Sequence, residues 1–289
     1  MALDVITAGE LYIDLVMSGL DRWPQPGEEA LARHFRREAG GGAAIAAMGL
    51  ARLGMNVGIV GAVGQDGAWL VETLARSGVD TRGIRAVNGE STGTTVAVSS
   101  APDRAFVTYA GANRRFREIA RTAEFNARHL HWAAPADRDL LERMRGMTIS
   151  LDVGFPHATG EAMAALPLVD VFFPNEVEAA RMTGEGNPEA MLRAFAQAGA
   201  RMVVLKMGER GAAMLIGNRI VHGAPPSVAA LDTTGAGDCF NAGFLYGWLR
   251  GKSPEQCLRL ANACGALSTR ALGGIAAFPT PEEIACLEK

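Results

Sequence analysis

The sequence predicts an α/β fold, a mostly parallel central sheet flanked by helices, with a small antiparallel β lid. Short β-branched runs alternate with amphipathic stretches of helical period, the pattern of βαβ units. Apolar residues make up 48% and charged residues 20% of 289 positions, enough apolar chain for a large core without disulfide staples. Two stretches, 11–35 and 94–109, break the alternation and read as insertions.

Taken in order, Asp4–Ala8 is the first expected strand, and the first insertion follows it. Behind Gly40-Gly41-Gly42, an uncharged Ala-rich run predicts a helix over Gly42–Leu53, with a strand at Asn56–Val60 and a helix at Trp69–Arg76. Thr94, Val96 and Val98 alternate, and Ala101-Pro102-Asp103-Arg104 reads as a hairpin turn into Phe106–Tyr109. Strands follow at Thr148–Asp152, Val169–Phe173, Met202–Lys206 and Ala212–Ile216, each bounded by Gly, Pro or an acidic turn residue. Helices are expected at Val177–Met182, Pro188–Gln197, Asp238–Arg250, Pro254–Ala271 and Pro281–Leu287, several opening with Pro in the first turn. The whole chain, 1–289, reads as one domain with lid segments at about 11–37 and 91–111. Both segments are expected to pair over the carboxyl edge of the sheet, where open α/β sheets bind ligands.

Composition narrows the function. A formal charge of -3 lacks the basic surplus that binds a phosphate backbone, so polymeric nucleic acid is not an expected partner. Acidic residues interrupt the first positions and no cationic leader opens them, so a cytoplasmic protein is expected. The uncharged segment 39–51 is short of the roughly 20 residues of a membrane span. Cys239, Cys257, Cys264 and Cys286 follow no metal or disulfide spacing and read as buried thiols. Histidines at 34, 129, 131, 157 and 222 likewise lack ligand spacing. Glycine stands out, at 35 residues, about 12% against a usual share of roughly 7%.

The most informative string is Asp232-Thr233-Thr234-Gly235-Ala236-Gly237-Asp238, because Phe240, Phe244 and Trp248 repeat at i+4 behind it and start a core-facing helix. A Gly-Ala-Gly turn feeding a helix aims free N–H groups at one point, a seat for phosphate. The helix dipole would keep Asp238 ionised at neutral pH, free either to accept a proton or to cap the helix. Gly247–Ser253 imitates a P-loop but is one residue short, and neither glycine cluster completes a dinucleotide fingerprint. Hydride transfer is therefore disfavoured.

Asp232–Asp238 resembles the carboxyl-terminal signature of the ribokinase-like carbohydrate kinases, the PfkB family. The resemblance implies a catalytic base at Asp238 and an anion hole at Gly235, Ala236 and Gly237. Gly40–Gly54 is similar to the family's glycine signature, which implies sugar contacts at Gly40, Gly41 and Gly42, although Ile45 stands where the family has Asn. Gly9–Asp14 resembles the strand whose Asp grips substrate hydroxyls, with Asp14 as anchor and Tyr12 beside it. Pro174–Glu178 resembles an Asn-Glu-x-Glu element, implying Mg²⁺ and phosphate at Asn175 and Glu178, partly through water. As a bare string, the same residues read as a helix cap. Lys206, Gly208 and Gly211 are similar to the turn lining the nucleotide site, Asn262 and Gly265 fall on the adenine-side helix, and Asp232 with Gly273-Gly274 implies a K⁺ loop.

The expectation is an ATP-dependent, Mg²⁺-assisted kinase acting on a hydroxymethyl group of a ketohexose, pentose or sugar acid. A nucleoside kinase and a non-catalytic sensor are the alternatives. Arg33, Arg36, Arg37, Arg104, Arg114 and Arg115 could approach a substrate phosphate from the lid. An exposed lid edge invites a homodimer.

Overall fold

The computed structural model describes residues 2–100, 103–144, 146–154 and 159–287. β1 (Leu3–Gly9) runs into the lid strands β2 (Tyr12–Leu20) and β3 (Ala32–Gly40), which return the chain to α1 (Gly42–Arg52) and β4 (Val57–Val63). After α2 (Ala68–Arg76) and β5 (Asp80–Ala86), the chain re-enters the lid as β6 (Gly93–Ser100) and β7 (Asp103–Tyr109). Next come α3 (Phe116–Thr122), β8 (Ala127–Ala133), α4 (Arg138–Arg143), β9 (Thr148–Asp152), α5 (Thr159–Ala165) and β10 (Val171–Phe172). α6 (Glu176–Thr183), α7 (Pro188–Gln197), β11 (Met202–Lys206), β12 (Ala212–Ile216) and β13 (Arg219–Gly223) follow, then α8 (Ala236–Leu249), α9 (Pro254–Ser268) and α10 (Pro281–Leu287).

Among the described residues, nine strands form the main sheet in the order β13-β12-β11-β10-β9-β8-β1-β4-β5, parallel from β11 to β5 with β12 and β13 antiparallel at one edge. Alternation along β1 sends Val5 into the core beneath α1, α8 and α9, and Ile6 and Ala8 into a second core on the opposite face. All seven residues of β4 are buried, as a strand covered on both faces requires. Parallel pairing puts the carboxyl ends of β1, β8, β9 and β11 on one edge, so Gly9, Ala133, Asp152 and Lys206 end together there.

Four further strands among the described residues form the lid in the order β3-β2-β6-β7. β2/β3 and β6/β7 are antiparallel pairs, and the parallel β2/β6 pairing joins the two inserted segments as expected. Residues 101–102 of the expected hairpin turn lie outside the described residues.

The sequence missed β5, β8 and β13, whose His, Arg and Gly content hides the β pattern, and it missed the short helices α3 to α5. The strand expected over Val169–Phe173 pairs only at Val171–Phe172. Cys286 is exposed rather than buried, because α10 turns it away from the core. No helix among the described residues is long and apolar enough to cross a membrane.

Candidate active site

The triple glycine is a steric solution. A Cβ at Gly40 would lie 2.2 Å from the Asp14 Cγ, and one at Gly42 would lie 2.8 Å from the Asp238 Oδ1. Between them Gly41 takes φ 94°, with the Glu10 carbonyl 2.2 Å from where its Cβ would stand. Asp14 on β2 and Asp238 on α8 therefore seat on two ends of one turn.

Gly235, in the left-handed conformation, is the N-cap of α8, so Asp238 stands in the first turn and does not serve as N-cap. The Ala236 N–H turns back to the Thr233 carbonyl at 3.3 Å, which commits one of the three expected anion-hole amides to the turn. Asp232 staples the junction. Its Oδ1 accepts from the Thr234 N–H at 2.9 Å and the hydroxyl at 2.7 Å, and its Oδ2 accepts from the Gly273 N–H at 2.9 Å. Ile45 supports the same junction by apolar contact, since Cβ atoms at Gly235 and Gly274 would lie 2.8 and 2.7 Å from its Cδ1. Cys239 donates its thiol to the Gly274 carbonyl at 3.0 Å, and burial pushes that thiol up.

Behind the turn lies a polar cluster that the sequence did not reveal. Asp152, at the end of β9, accepts from the Lys206 Nζ at 2.6 Å and from the Asn241 Nδ2 at 2.5 Å. Burial would raise the Asp152 carboxyl, but Lys206 and Asn241 outweigh it and hold it below its ordinary value. Burial opposes the Lys206 charge, yet Asp152, Glu178 and Asp238 hold the ammonium above its ordinary value. A Cβ at Gly237 would lie 3.5 Å from this ammonium. The signal was an acid closing a buried strand, but a strand end does not say which residues it will face.

Asp238 is not simply ionised. Burial first, then Asp152, Glu178 and Asp14, raise its carboxyl to about 7 against the pull of Lys206. The helix dipole is outweighed because three carboxylates from three other segments converge on it. Asp14 is raised to about 6 by burial, Glu38 and Asp232, against a hydrogen bond with Thr95.

Asn175 and Glu178 form a reciprocal capping box on α6, each accepting the other's backbone N–H at 2.9 Å. The helix-cap reading is therefore correct locally, while the buried Glu178 carboxylate also faces Asp152 and Lys206 and is raised by burial first and then by Asp152. Gly208 and Gly211 shape the turn from β11 to β12, Gly211 with φ 81° and the Gly223 carbonyl 2.1 Å from where its Cβ would stand. Beside that carbonyl's strand end, the buried Asn262 leaves its Nδ2 without a partner. Gly265 lies against the first turns of α8. Its Cβ would lie 3.1 Å from the Ala236 carbonyl and 3.3 Å from the Phe240 Cβ, so its bareness serves α8–α9 packing.

The Tyr12 hydroxyl donates to Glu10 at 2.6 Å, and burial with that carboxylate pushes it up. Asn113, also missed, accepts from the Leu11 N–H at 3.0 Å and donates to the Leu11 carbonyl at 2.8 Å, which pins the crossing into the lid. His129, Ser150 and His131 form a buried hydrogen-bonded row between β8 and β9, and burial keeps both imidazoles neutral.

The profile of the pfkB family carbohydrate kinases matches residues 2–281. The chain is 33% identical over 293 residues to an ATP-dependent ribose-1-phosphate kinase of Halopiger xanaduensis, covering 97% of this chain and 96% of that one. It is 31% identical to the 2-dehydro-3-deoxygluconokinase of Bacillus subtilis, over 87% of this chain and 86% of that one. The structure of Arabidopsis thaliana ribokinase with ribose and ATP superposes with a TM-score of 0.85 at 29% identity, covering 100% of this chain and 99% of that one.

Proposed function

The chain belongs to the pfkB family of carbohydrate kinases, phosphotransferases with an alcohol acceptor, and we propose that it moves the γ-phosphoryl group of ATP onto a hydroxymethyl group of a small sugar. The observation that carries this reading is the seating of Asp14 and Asp238 on Gly40 and Gly42 of one turn.

In this mechanism Asp14 accepts hydrogen bonds from sugar hydroxyls, and the bare turn lets the sugar approach the backbone. Asp238 takes the proton of the attacking hydroxyl. That oxygen bonds to the γ-phosphorus while the bond from phosphorus to the ADP oxygen breaks. A carboxyl near pH 7 suits this task, because it is available as a base yet basic enough to hold the proton. The first-turn amides of α8 and the Lys206 ammonium beside Gly237 offset the charge on the transferring group.

Asn175 and Glu178 would hold Mg²⁺, largely through water. Their oxygen donors fit a hard cation, and among the described residues no three His, Cys, Asp or Glu side chains form a metal cage. When bound, that ion neutralises phosphate charge. The unpartnered Asn262 Nδ2 and the Gly208–Gly211 turn would line the nucleotide side. A K⁺ ion would reinforce the junction that Asp232 staples to Gly273.

A second copy would cover the lid. Leu15, Met17, Phe35, Val96, Val98 and Val107 share one face by register, with Phe35 61% and Val107 71% exposed. A coupled ADP-release assay across free sugars and nucleosides tests the function. Sugar-dependent release well above the ATPase background is expected, and acceptance of nucleosides alone would move the assignment to that class.

A further inference from the structure

Relatives of similar identity carry names that imply acceptors of different charge, so resemblance leaves the acceptor's charge open. The mouth of the site bears on it. Glu38 on β3 is the direct cross-strand partner of Asp14, so both project from the same lid face. The Glu38 side chain reaches across to the main body, where a Cβ at Gly273 would lie 2.9 Å from its Cγ and 3.1 Å from its Oε1. Gly273 is the residue that Asp232 holds. Asp14, Glu38 and Asp232 thus border one opening, with Asp238 at its floor.

Among the described residues, the cations near this opening are already engaged. Arg36 shares the face of Glu38 by alternation and is paired with it at 3.7 Å, so its charge is already answered. By alternation Arg33 and Arg37 lie on the opposite lid face, and Arg37 stacks on Trp69 at 4.1 Å. Arg114 lies over Tyr109 and beside Glu90, and Arg115 pairs with Glu118. Lys206 is committed to Asp152 on the nucleotide side. The Arg104 side chain is outside the described residues.

Resting on the kinase reading, we propose that Glu38 is a specificity-determining residue that, beside Asp14, makes the acceptor site one for uncharged polyols and bars phosphorylated or carboxylated ones. Two carboxylates accept hydroxyl hydrogen bonds well, whereas an acceptor phosphate would meet like charge while Glu38 already holds the Arg36 guanidinium. At partly buried positions, one such like-charge encounter costs on the order of tenfold or more in affinity.

The test uses matched acceptors that share a free hydroxymethyl group: ribose against ribose 1-phosphate, fructose against fructose 6-phosphate, and sorbitol against gluconate. In each pair the neutral member is expected to show at least tenfold higher kcat/KM. Glu38→Gln should shrink that ratio at least threefold, and added salt should shrink it in the wild type, a response that a merely structural role would not produce. A ratio at or below one, or a ratio unmoved by Glu38→Gln, overturns the proposal. If no acceptor of either kind stimulates ADP release, the kinase reading fails separately. Equilibrium binding of the same pairs then decides the charge selection, with weaker binding of the anionic members supporting it and equal or tighter binding overturning it.

Discussion

Replacing Asp238 by Asn should stabilise the protein while removing its activity. The fold raises this carboxyl from 3.8 to about 7, so the folded chain prefers the protonated form. The resulting penalty is absent below the unfolded value, grows between pH 4 and 7, and is constant above pH 7. About three units at roughly 1.4 kcal/mol each set a ceiling of about 4 kcal/mol at pH 8. Asn keeps the shape without the charge and leaves the Lys206–Asp152 pair intact, so a gain of about 2–4 kcal/mol is expected. At about 2 °C per kcal/mol for a chain of this size, Tm should rise by about 4–8 °C at pH 8 and scarcely change at pH 4. Turnover should fall by about 10²–10⁴ with nucleotide binding retained. Calorimetry across this pH range, alongside ADP release, makes the measurement. A variant no more stable than wild type at pH 8, or a stability gap independent of pH, would refute the convergence of carboxylates on Asp238.

Other perturbations probe the remaining parts. Lys206→Met strands the buried Asp152 carboxylate and should cost about 3–5 kcal/mol in denaturant melts, with recovery in the Asp152→Asn/Lys206→Met double variant. Gly42→Ala inserts a methyl 2.8 Å from the Asp238 Oδ1 and should lower kcat at least tenfold, whereas Gly186→Ala, with open space around it, should leave kinetics unchanged. Wild-type kcat/KM should rise with pH and level off above about 7 as Asp238 ionises, and a limb centred near pH 4 would contradict this. Phe35→Asp should shift a lid-paired dimer toward monomer in sedimentation, because it places a charge in the exposed apolar face.

Local chemistry made much of the site legible in the sequence. The Gly-Ala-Gly turn announced the start of α8, the triple glycine announced a close approach, and Asn175-Glu176-Val177-Glu178 announced a cap, because each depends on residues within one turn of chain. The strands with regular β-branched patterns were legible for the same reason, and β8 was not, because its histidines find partners only on β9. What approaches Gly40 and Gly42 was decided in space. So were the partner of Lys206, the α8–α9 role of Gly265, the pairing of Glu38 with Asp14, and the protonation of Asp238. Sequence determines where backbone amides and bare glycines stand, since these follow from φ, hydrogen bonding and side-chain size. Only the tertiary structure decides how much water and how many charges surround a carboxylate, because the residues that exclude the one and supply the other come from strands and helices far apart in the chain.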